Sequence, residues 1–222
     1  MDESIWDLIT DGGYAMYVVI AFSIIAIGVA IERGIAQWQF TAQAKQLADV
    51  VNRCLTRGAV DESRSACERS KSPLADVFLI GYAKLGRAKP EHVASAVHRE
   101  RLRVVQELRT RLWMLATIGA TAPFVGLFGT VVGMRGAMGK FKGVEEVTFQ
   151  MVAGPLSAAL VVTAAGILVA VEAVILYNYF NQRVGRIGTE MKLLTDEFLE
   201  NLAETKGDKT TDKDQADGRE AA

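Results

Sequence analysis

The chain has 222 residues, half of them hydrophobic, and 25 Lys and Arg residues nearly balance 26 Asp and Glu residues to a net charge of −1. This balance argues against a nucleic-acid-binding surface, which needs a basic excess, so no nucleic acid partner is expected. Three stretches contain no charged side chain: Gly12–Ile31, Leu112–Met134 and Val147–Val171. Each is about 20 residues long or more, the length that an α-helix needs to cross a bilayer. The composition therefore excludes a soluble domain and predicts an all-α integral membrane protein with three transmembrane helices in membrane lipid.

The charges that flank these spans predict the orientation of the chain. Residues 1–11 contain four Asp and Glu residues and no Lys or Arg, the opposite of a signal peptide's basic start. Residues 37–111, between the first two spans, contain fourteen Lys and Arg residues. Because cations favour the cytoplasmic side, we expect the N-terminus outside and the C-terminus inside.

The predicted organisation has eight segments. They are a periplasmic leader (1–11), TM1 (12–36), a cytoplasmic helical domain (37–111), TM2 (112–139), a periplasmic loop (140–146), TM3 (147–182), a cytoplasmic C-terminal helix (183–203) and a tail (204–222). The tail contains no Val, Ile, Leu, Met or aromatic residue. It cannot bury enough surface to offset its ordering entropy, so it is predicted to be disordered.

The polar segments have helical patterns. Pro73 and Pro90 punctuate the segment between the first two spans. No breaker separates Glu91 from the second span, so one long helix is predicted to enter the membrane directly. After the third span, apolar residues step by three and four at Val184, Ile187, Met191, Leu194 and Phe198. This spacing is typical of a helix seam, so TM2 and TM3 are both predicted to extend into a cytoplasmic helical stalk.

The polar residues do not form an enzymatic or metal-binding pattern. Cys54 and Cys67, the only cysteines, are separated by twelve residues, which matches no common metal-ligand spacing. His92 and His98 are six residues apart in a charged segment with no nucleophile nearby. We expect no catalytic residue, no metal ligand and no cofactor, and a membrane enzyme is the least favoured function.

The second span combines a row of glycines with a proline. Gly126, Gly129, Gly133 and Gly136 follow at steps of three, four and three, along one helix face. Small residues let helices approach closely in lipid, so the row indicates close helix packing, and whether it also shapes a pore stays open. Pro123 removes one backbone hydrogen bond, which a neighbouring helix or water can replace.

The third span contains small residues, Gly166 among them, and one carboxylate, Glu172. A charged side chain at membrane depth costs at least about 2.5–3.5 kcal/mol and indicates a functional site by default. Arg183 lies eleven residues further along, roughly 16 Å in a helix, which places Glu172 in the inner half of the bilayer. Two interpretations stay open: a functional carboxylate, or an interfacial glutamate within reach of cytoplasmic water.

Three motifs follow one another through the spans: GGYAM from Gly12, APFVGLFGTVVGM from Ala122 and ALVVTAAG from Ala159. Together they resemble the MotA/TolQ/ExbB proton-channel family, and most closely its ExbB/TolQ-like branch. The resemblance implies a homopentamer in the bacterial inner membrane whose second and third helices line a pore. A pair of single-span ExbD/TolR/MotB-like partner helices would occupy that pore, with a membrane Asp that carries the proton. Thr130 and Thr163 match the pore-lining threonines.

Two positions depart from the family pattern. The family often has Glu at the position of Ala158 and Pro at the position of Glu172, so the carboxylate is displaced by fourteen residues. In a helix this is about 21 Å toward the cytoplasm with a rotation of only about 40°. Glu172 is therefore interpreted as a relocated acidic group in the exit half of the proton path. Thr163 lies about half a turn out of phase with it. Either the helix bends, or Thr163 faces the pore and Glu172 lies between subunits.

Two functions follow from the resemblance and its exceptions. The first is a stator subunit that converts ion flow into work across the envelope, in outer-membrane transport, envelope integrity or gliding. The conducted ion is H⁺ or Na⁺. The second is a non-conducting structural ring that scaffolds partner proteins, and the missing carboxylate at Ala158 favours it.

Overall fold

The structure is a computed structural model that describes residues 13–85, 88–140 and 148–220, in which every regular element is an α-helix. In chain order the helices are α1 (Gly13–Leu55), α2 (Val60–Arg69), α3 (Pro73–Lys84), α4 (Pro90–Arg109), α5 (Leu112–Lys140) and α6 (Phe149–Glu220). The all-α prediction is confirmed for these residues. The predicted leader (1–11) and nearly all of the predicted loop (140–146) lie outside the described ranges.

Within the described residues, three helices are long and apolar enough to cross a membrane: α1, α5 and α6. The predicted number of spans is therefore confirmed, although the helices extend beyond the predicted segments. α1 continues to Leu55, past the predicted boundary at residue 36, and α6 joins the predicted TM3 and C-terminal helix. The backbone of α6 is helical as far as Glu220, so the boundary at residue 203 is not a helix end. The disorder of residues 204–222 stays a prediction.

The prediction of one continuous helix from Glu91 into the second span is wrong. α4 ends at Arg109 and α5 begins at Leu112. Between them Thr110 has ψ 141° and Arg111 has a left-handed φ of 70°. A left-handed conformation costs a non-glycine residue about 1–2 kcal/mol, and neither residue is a usual helix breaker. The break therefore has no local signal in the sequence, and TM2 does not continue into a stalk as the same helix.

The short helices begin and end at residues with recognisable local chemistry. Pro73 and Pro90 each occupy a first helical position, where a missing N–H leaves no helical bond unmade. The Oγ of Ser72 accepts a hydrogen bond from the Leu74 N–H at 3.4 Å and caps α3. Gly58, with φ 72°, follows the end of α1 and supplies the left-handed residue of that turn.

The chain forms two compact units. The first, here called the span unit, comprises Met1–Arg33 and Arg111–Asn181, and the second, the polar-helix unit, comprises Gly34–Thr110 and Gln182–Ala222. The core of the span unit consists of small and aliphatic residues, of which Ala26, Leu115, Ala122, Val162 and Ala173 are at most 1% exposed. Its outward-facing side chains are apolar as well, and Phe124 and Leu168 are both 70% exposed. An apolar exterior around a close-packed core is what a lipid environment permits.

The core of the polar-helix unit is built around Phe198 of α6. The ring of Phe78 stacks on it with a centroid distance of 4.4 Å, and Tyr82 packs edge-on at 5.2 Å. A Cβ added at Gly81 would lie 2.6 Å from the Phe198 ring, so this glycine makes room for the phenyl group. Four of the five predicted seam residues are fully buried: Val184, Ile187, Met191 and Phe198. Their predicted role in helix packing is confirmed.

Candidate functional site

In the span unit, α5 and α6 cross with their backbones in contact. A Cβ added at Gly166 would lie 2.7 Å from the carbonyl oxygen of Ala122 and 3.1 Å from the Cα of Gly126. One added at Gly126 would lie 3.0 Å from the Cα of Thr163. Backbone atoms cannot swing aside as a side-chain tip does, so a larger residue at either glycine forces the two helices apart.

The glycine row on α5 does not make close contacts along its whole length. At Gly129 an added Cβ would lie 2.7 Å from the Cβ of Ala15 and 2.8 Å from the Cγ1 of Val162, where α1, α5 and α6 meet. At Gly133 the nearest atom, the Cβ of Ala159, is at an ordinary 3.5 Å, and at Gly136 no atom lies within 4 Å. The close approach is therefore centred on the first two glycines of the row.

Gly119 belongs to the same contact, and the sequence reasoning missed it. A Cβ there would lie 2.6 Å from the Cγ2 of Val174. Gly119 precedes Gly126 by seven residues, which is two helical turns, so extending the glycine row by one heptad would have found it. Pro123, half-buried between them, has no N–H to donate to the Gly119 carbonyl one turn earlier.

The hydroxyl of Thr163 donates a hydrogen bond to the carbonyl oxygen of Gly126 at 3.0 Å, across the helix crossing. A hydroxyl has one proton and two lone pairs, so the oxygen of Thr163 can still accept a bond from a second group. Thr130 donates instead to the Leu127 carbonyl of its own helix at 2.6 Å. Both threonines are half-buried. Each can thus accept a hydrogen bond from water or from a protonated carboxyl group.

Glu172 of α6 is half-buried. Ala170 shows which face of α6 contacts α5, because its carbonyl oxygen lies 3.5 Å from the position that a Cβ would occupy at Gly119. Two residues further along, Glu172 is rotated by about 160° from Ala170 at 100° per residue. Thr163, by contrast, points at α5. The structure therefore brings Thr163, Gly126 and Gly166 together at one crossing and places Glu172 apart from them.

An ion pair joins α1 to the start of α5 within the span unit. One guanidinium nitrogen of Arg111, Nη1, lies 2.6 Å from each carboxylate oxygen of Glu32. Arg33 donates to the same carboxylate at 2.7 Å. The pair holds the side chain of the left-handed Arg111 in place. Sequence reasoning missed this contact, although opposite charges at the ends of two neighbouring spans were a possible signal.

Other reactive side chains lie in the polar-helix unit. Among the described residues, no cluster of three or more His, Cys, Asp or Glu side chains is placed to hold a metal ion. Cys54 and Cys67 are free thiols, and burial raises the pKa of Cys67 to about 12. Burial also raises the pKa of Tyr82, whose hydroxyl lies 2.6 Å from the Ser63 hydroxyl. A protonated, buried thiol is a packing group rather than a nucleophile.

Comparison with known proteins adds a family to this geometry. A model of the MotA/TolQ/ExbB proton channel family matches residues 69–193, more than half of the chain. The Tol-Pal system protein TolQ of Haemophilus influenzae is 29% identical over 191 residues, which is 82% of this chain and 84% of that protein. TolQ of Pseudomonas aeruginosa is 29% identical over 214 residues, or 88% of this chain and 90% of that protein.

A shorter match is closer in sequence. The biopolymer transport protein ExbB of Xanthomonas campestris is 41% identical over 95 residues. This match covers 43% of the chain and 38% of that ExbB, so the chain aligns with well under half of its length. The aligned parts of the TolQ proteins, in contrast, extend through most of both chains.

Proposed function

We propose that this chain, which belongs to the MotA/TolQ/ExbB proton channel family in its ExbB/TolQ-like branch, is the stator subunit of an inner-membrane motor. The proposed assembly is a homopentamer around a pair of single-span helices of the ExbD/TolR/MotB type. A membrane Asp on the partner carries the ion, H⁺ or Na⁺, because the segments predicted as TM1, TM2 and TM3 (12–36, 112–139 and 147–182) contain no Asp. Ion flow is converted into work in outer-membrane transport, envelope integrity or gliding.

The observation that carries this proposal is the hydrogen bond from Thr163 to the Gly126 carbonyl. This hydrogen bond fixes the rotamer of Thr163 inside an apolar span, and the hydroxyl proton is not available to a second acceptor. The hydroxyl oxygen can then accept a hydrogen bond, either from a water molecule or from the protonated carboxyl group of the Asp on the single-span protein. Thr130 has the same remaining capacity. Two positioned acceptors in a poorly solvated span support a proton path along α5 and α6.

The close contacts of Gly126, Gly129 and Gly166 support the same function in another way. At Gly126 and Gly166, backbone atoms of the other helix occupy the place of a side chain, and at Gly129 the side chains of Ala15 and Val162 do so. A stator must resist the force that it transmits, and packed backbones deform less than flexible side chains. We assign these glycines, with Pro123, to the shape and rigidity of the pore wall.

Glu172 is assigned to the exit half of the proton path. α6 is one uninterrupted helix on either side of it, and Glu172 and Thr163 lie on different sides of that helix. These features favour the arrangement in which Thr163 faces the pore and Glu172 lies between subunits. A carboxylate there would receive the ion after the partner Asp and before the cytoplasm.

The test is proton flux through proteoliposomes that contain the chain and its single-span partner. Replacing Thr163 by Val removes the hydroxyl and keeps the volume, so flux should fall at least about tenfold, whereas Thr163→Ser should keep most of it. Thr117→Val is the matched control, because the Thr117 hydroxyl is exposed and donates only to Trp113 of its own helix. Wild-type flux in a complex that combines Thr163→Val with Asp→Asn in the partner would overturn the motor.

The alternative is a non-conducting ring that scaffolds partner proteins. It is favoured by Ala158, a half-buried residue at the position where the family often has Glu. The same proteoliposomes distinguish the two functions. A wild-type complex that assembles with its partner and conducts no ions would support the ring.

A further inference from the structure

A groove with basic walls lies in the polar-helix unit and includes none of the residues assigned to the ion path. Its volume is about 530 Å³. The residues that line it, here called the basic groove, are Lys84, Ala88, Lys89, His92, Ser95 and Arg99. Five of the six carry a polar group, and all five of these side chains are exposed to solvent. The groove is thus an accessible surface with many hydrogen-bond donors.

The charges of the basic groove are not neutralised within the described part of the chain. Lys84, Lys89 and Arg99 each carry a positive charge, and none of the described residues that line the groove is a carboxylate, although the exposed Glu91 lies between Lys89 and His92 in sequence. None of the three takes part in the ion pairs found among the described residues. The acidic residue closest to Arg99 in sequence, Glu100, pairs with Arg103 instead. Three like charges around one depression produce a positive potential that attracts anions.

The backbone arranges these donors on one side of the groove. His92, Ser95 and Arg99 are spaced by three and four residues and therefore share a face of α4. Lys89 immediately precedes that helix, and Lys84 is the last residue of α3. The first turn of α4 thus borders the groove, and Glu91 in that turn offsets part of the positive potential of the helix end.

We propose that the basic groove binds a ligand that bears a phosphate group. Ammonium and guanidinium groups form charge-assisted hydrogen bonds to phosphate oxygens, and Ser95 and His92 supply further hydrogen-bond donors. A volume of about 530 Å³ is within the usual range for small-molecule sites and exceeds what a bare phosphate ion fills. The groove thus has room for the organic group that a phosphate ester carries, and the source of such a ligand is either a phospholipid headgroup or a soluble phosphate compound.

The first arm of the test measures a soluble anion. The full chain in a non-ionic detergent is titrated with inorganic phosphate at constant ionic strength, with chloride as the reference, and its unfolding midpoint is recorded. Saturable binding raises the midpoint, because a ligand that binds only the folded state stabilises it. The variant Lys84→Gln, Lys89→Gln, Arg99→Gln should bind phosphate about tenfold more weakly or worse, since three charge-assisted bonds are lost.

The second arm measures a lipid. The chain is placed in nanodiscs of phosphatidylcholine with or without phosphatidylglycerol, and the retained lipids are counted by native mass spectrometry. Preferential retention of phosphatidylglycerol by the wild type, reduced in the groove variant, assigns the ligand to the membrane. A phosphate response without lipid preference assigns it to the soluble pool.

The matched control removes three exposed cations of the same unit that do not line the groove: Arg57→Gln, Lys71→Gln, Lys192→Gln. It changes the net charge by the same amount, so it should behave as the wild type in both arms. If the groove variant and the control respond alike, whether both keep or both lose binding, the anions are attracted by the overall charge and the proposed site is overturned.

Discussion

At the scale of single residues, the position of each hydrogen-bond proton decides what a side chain in the span unit can do. The Thr163 hydroxyl donates its only proton to the Gly126 carbonyl, so its oxygen can only accept a further hydrogen bond. Glu172 lies on the other side of α6 from this crossing, and among the described residues no ion pair involves it. A carboxylate in this position either interacts with a neighbouring chain or lowers the stability of the fold.

Substitution of Glu172 separates these two cases. We expect Glu172→Gln to lower proton flux at least about tenfold, because an amide cannot take up and release the ion. Glu172→Asp keeps a carboxyl group and should keep most of the flux. The measurement is again flux in proteoliposomes, after size-exclusion chromatography has shown that both variants assemble. Wild-type flux in both variants would reduce Glu172 to an interfacial residue without a role in conduction.

The two thiols should differ in their reaction with iodoacetamide. The reactive species is the thiolate, and burial holds the pKa of Cys67 at about 12, above its ordinary value of 9.0. At pH 8.5, about one thiol per chain should react in the native protein and both in denaturant, with Cys54→Ser removing the native reaction.

The upward shift of the Cys67 pKa also predicts how the stability of the protein depends on pH. The contribution of the protonated Cys67 is complete below pH 9.0 and is lost as pH rises toward about 12. Rapid native alkylation of Cys67 at pH 8.5 would contradict its burial.

At the scale of helices, two junctions define the span unit. The crossing of α5 and α6 depends on glycines that face backbone atoms, and the start of α5 depends on Arg111, held by Glu32 in a left-handed conformation. The first junction follows from side-chain size alone. At the second junction, the left-handed conformation of Arg111 is unfavourable, and the ion pair between Arg111 and Glu32 offsets part of its free-energy cost.

A methyl group should distinguish the packed glycines from the open ones. Gly166→Ala places a Cβ 2.7 Å from the Ala122 carbonyl oxygen, so the helices must shift. We expect it to lower the free energy of unfolding by about 1–3 kcal/mol, as overpacking does elsewhere. Gly136→Ala is the control, because no atom of another described helix lies within 4 Å of its added Cβ. It should leave the stability unchanged or raise it by up to about 1 kcal/mol, since alanine favours a helix. Thermal unfolding in detergent measures both, and equal shifts would contradict the observed crossing.

At the scale of the whole molecule, the chain separates its chemistry by environment. The span unit has a core of small and aliphatic residues and many exposed apolar side chains, whereas the polar-helix unit has an aromatic and aliphatic core with a charged surface. The basic groove and the residues assigned to the ion path belong to different units. This separation allows one unit to be altered without direct change to the other, which the matched variants above use.

The predicted orientation of the chain can be measured with two introduced cysteines in a Cys54→Ser background. Cys67 is buried and should not react, so it can remain. A membrane-impermeant maleimide should label Ser4→Cys in intact spheroplasts and label Glu200→Cys only after permeabilisation. The reason is the excess of Lys and Arg on the segments assigned to the cytoplasm. The opposite labelling pattern would reverse the assigned topology and with it the direction of the proposed ion path.

Much of this organisation could be predicted because it depends on composition and period. Charge-free runs of about 20 residues predict spans in any sequence, since the bilayer sets their length. The seam from Val184 to Phe198 was predicted for the same kind of reason, because it follows from local spacing. Gly119 could have been predicted in the same way, because it lies seven residues before Gly126 on the same face of the helix.

Other features could not be read from local patterns. The break at Arg111 lies between residues that usually continue a helix, and its partner Glu32 is 79 residues away in sequence. The direction in which Thr163 points depends on where α5 crosses α6, and the side on which Glu172 emerges follows from the same crossing.

By itself, the sequence determined that this protein is helical, has three segments long and apolar enough to cross a membrane, and resembles the MotA/TolQ/ExbB proton channel family, because these properties depend on hydrophobic length, periodicity and ordered motifs. Only the tertiary structure decided which glycines meet backbone, which carbonyl receives the Thr163 proton, where the second span begins and which cations surround a groove. Those contacts join residues far apart in the chain, and their geometry exists only once the helices have packed.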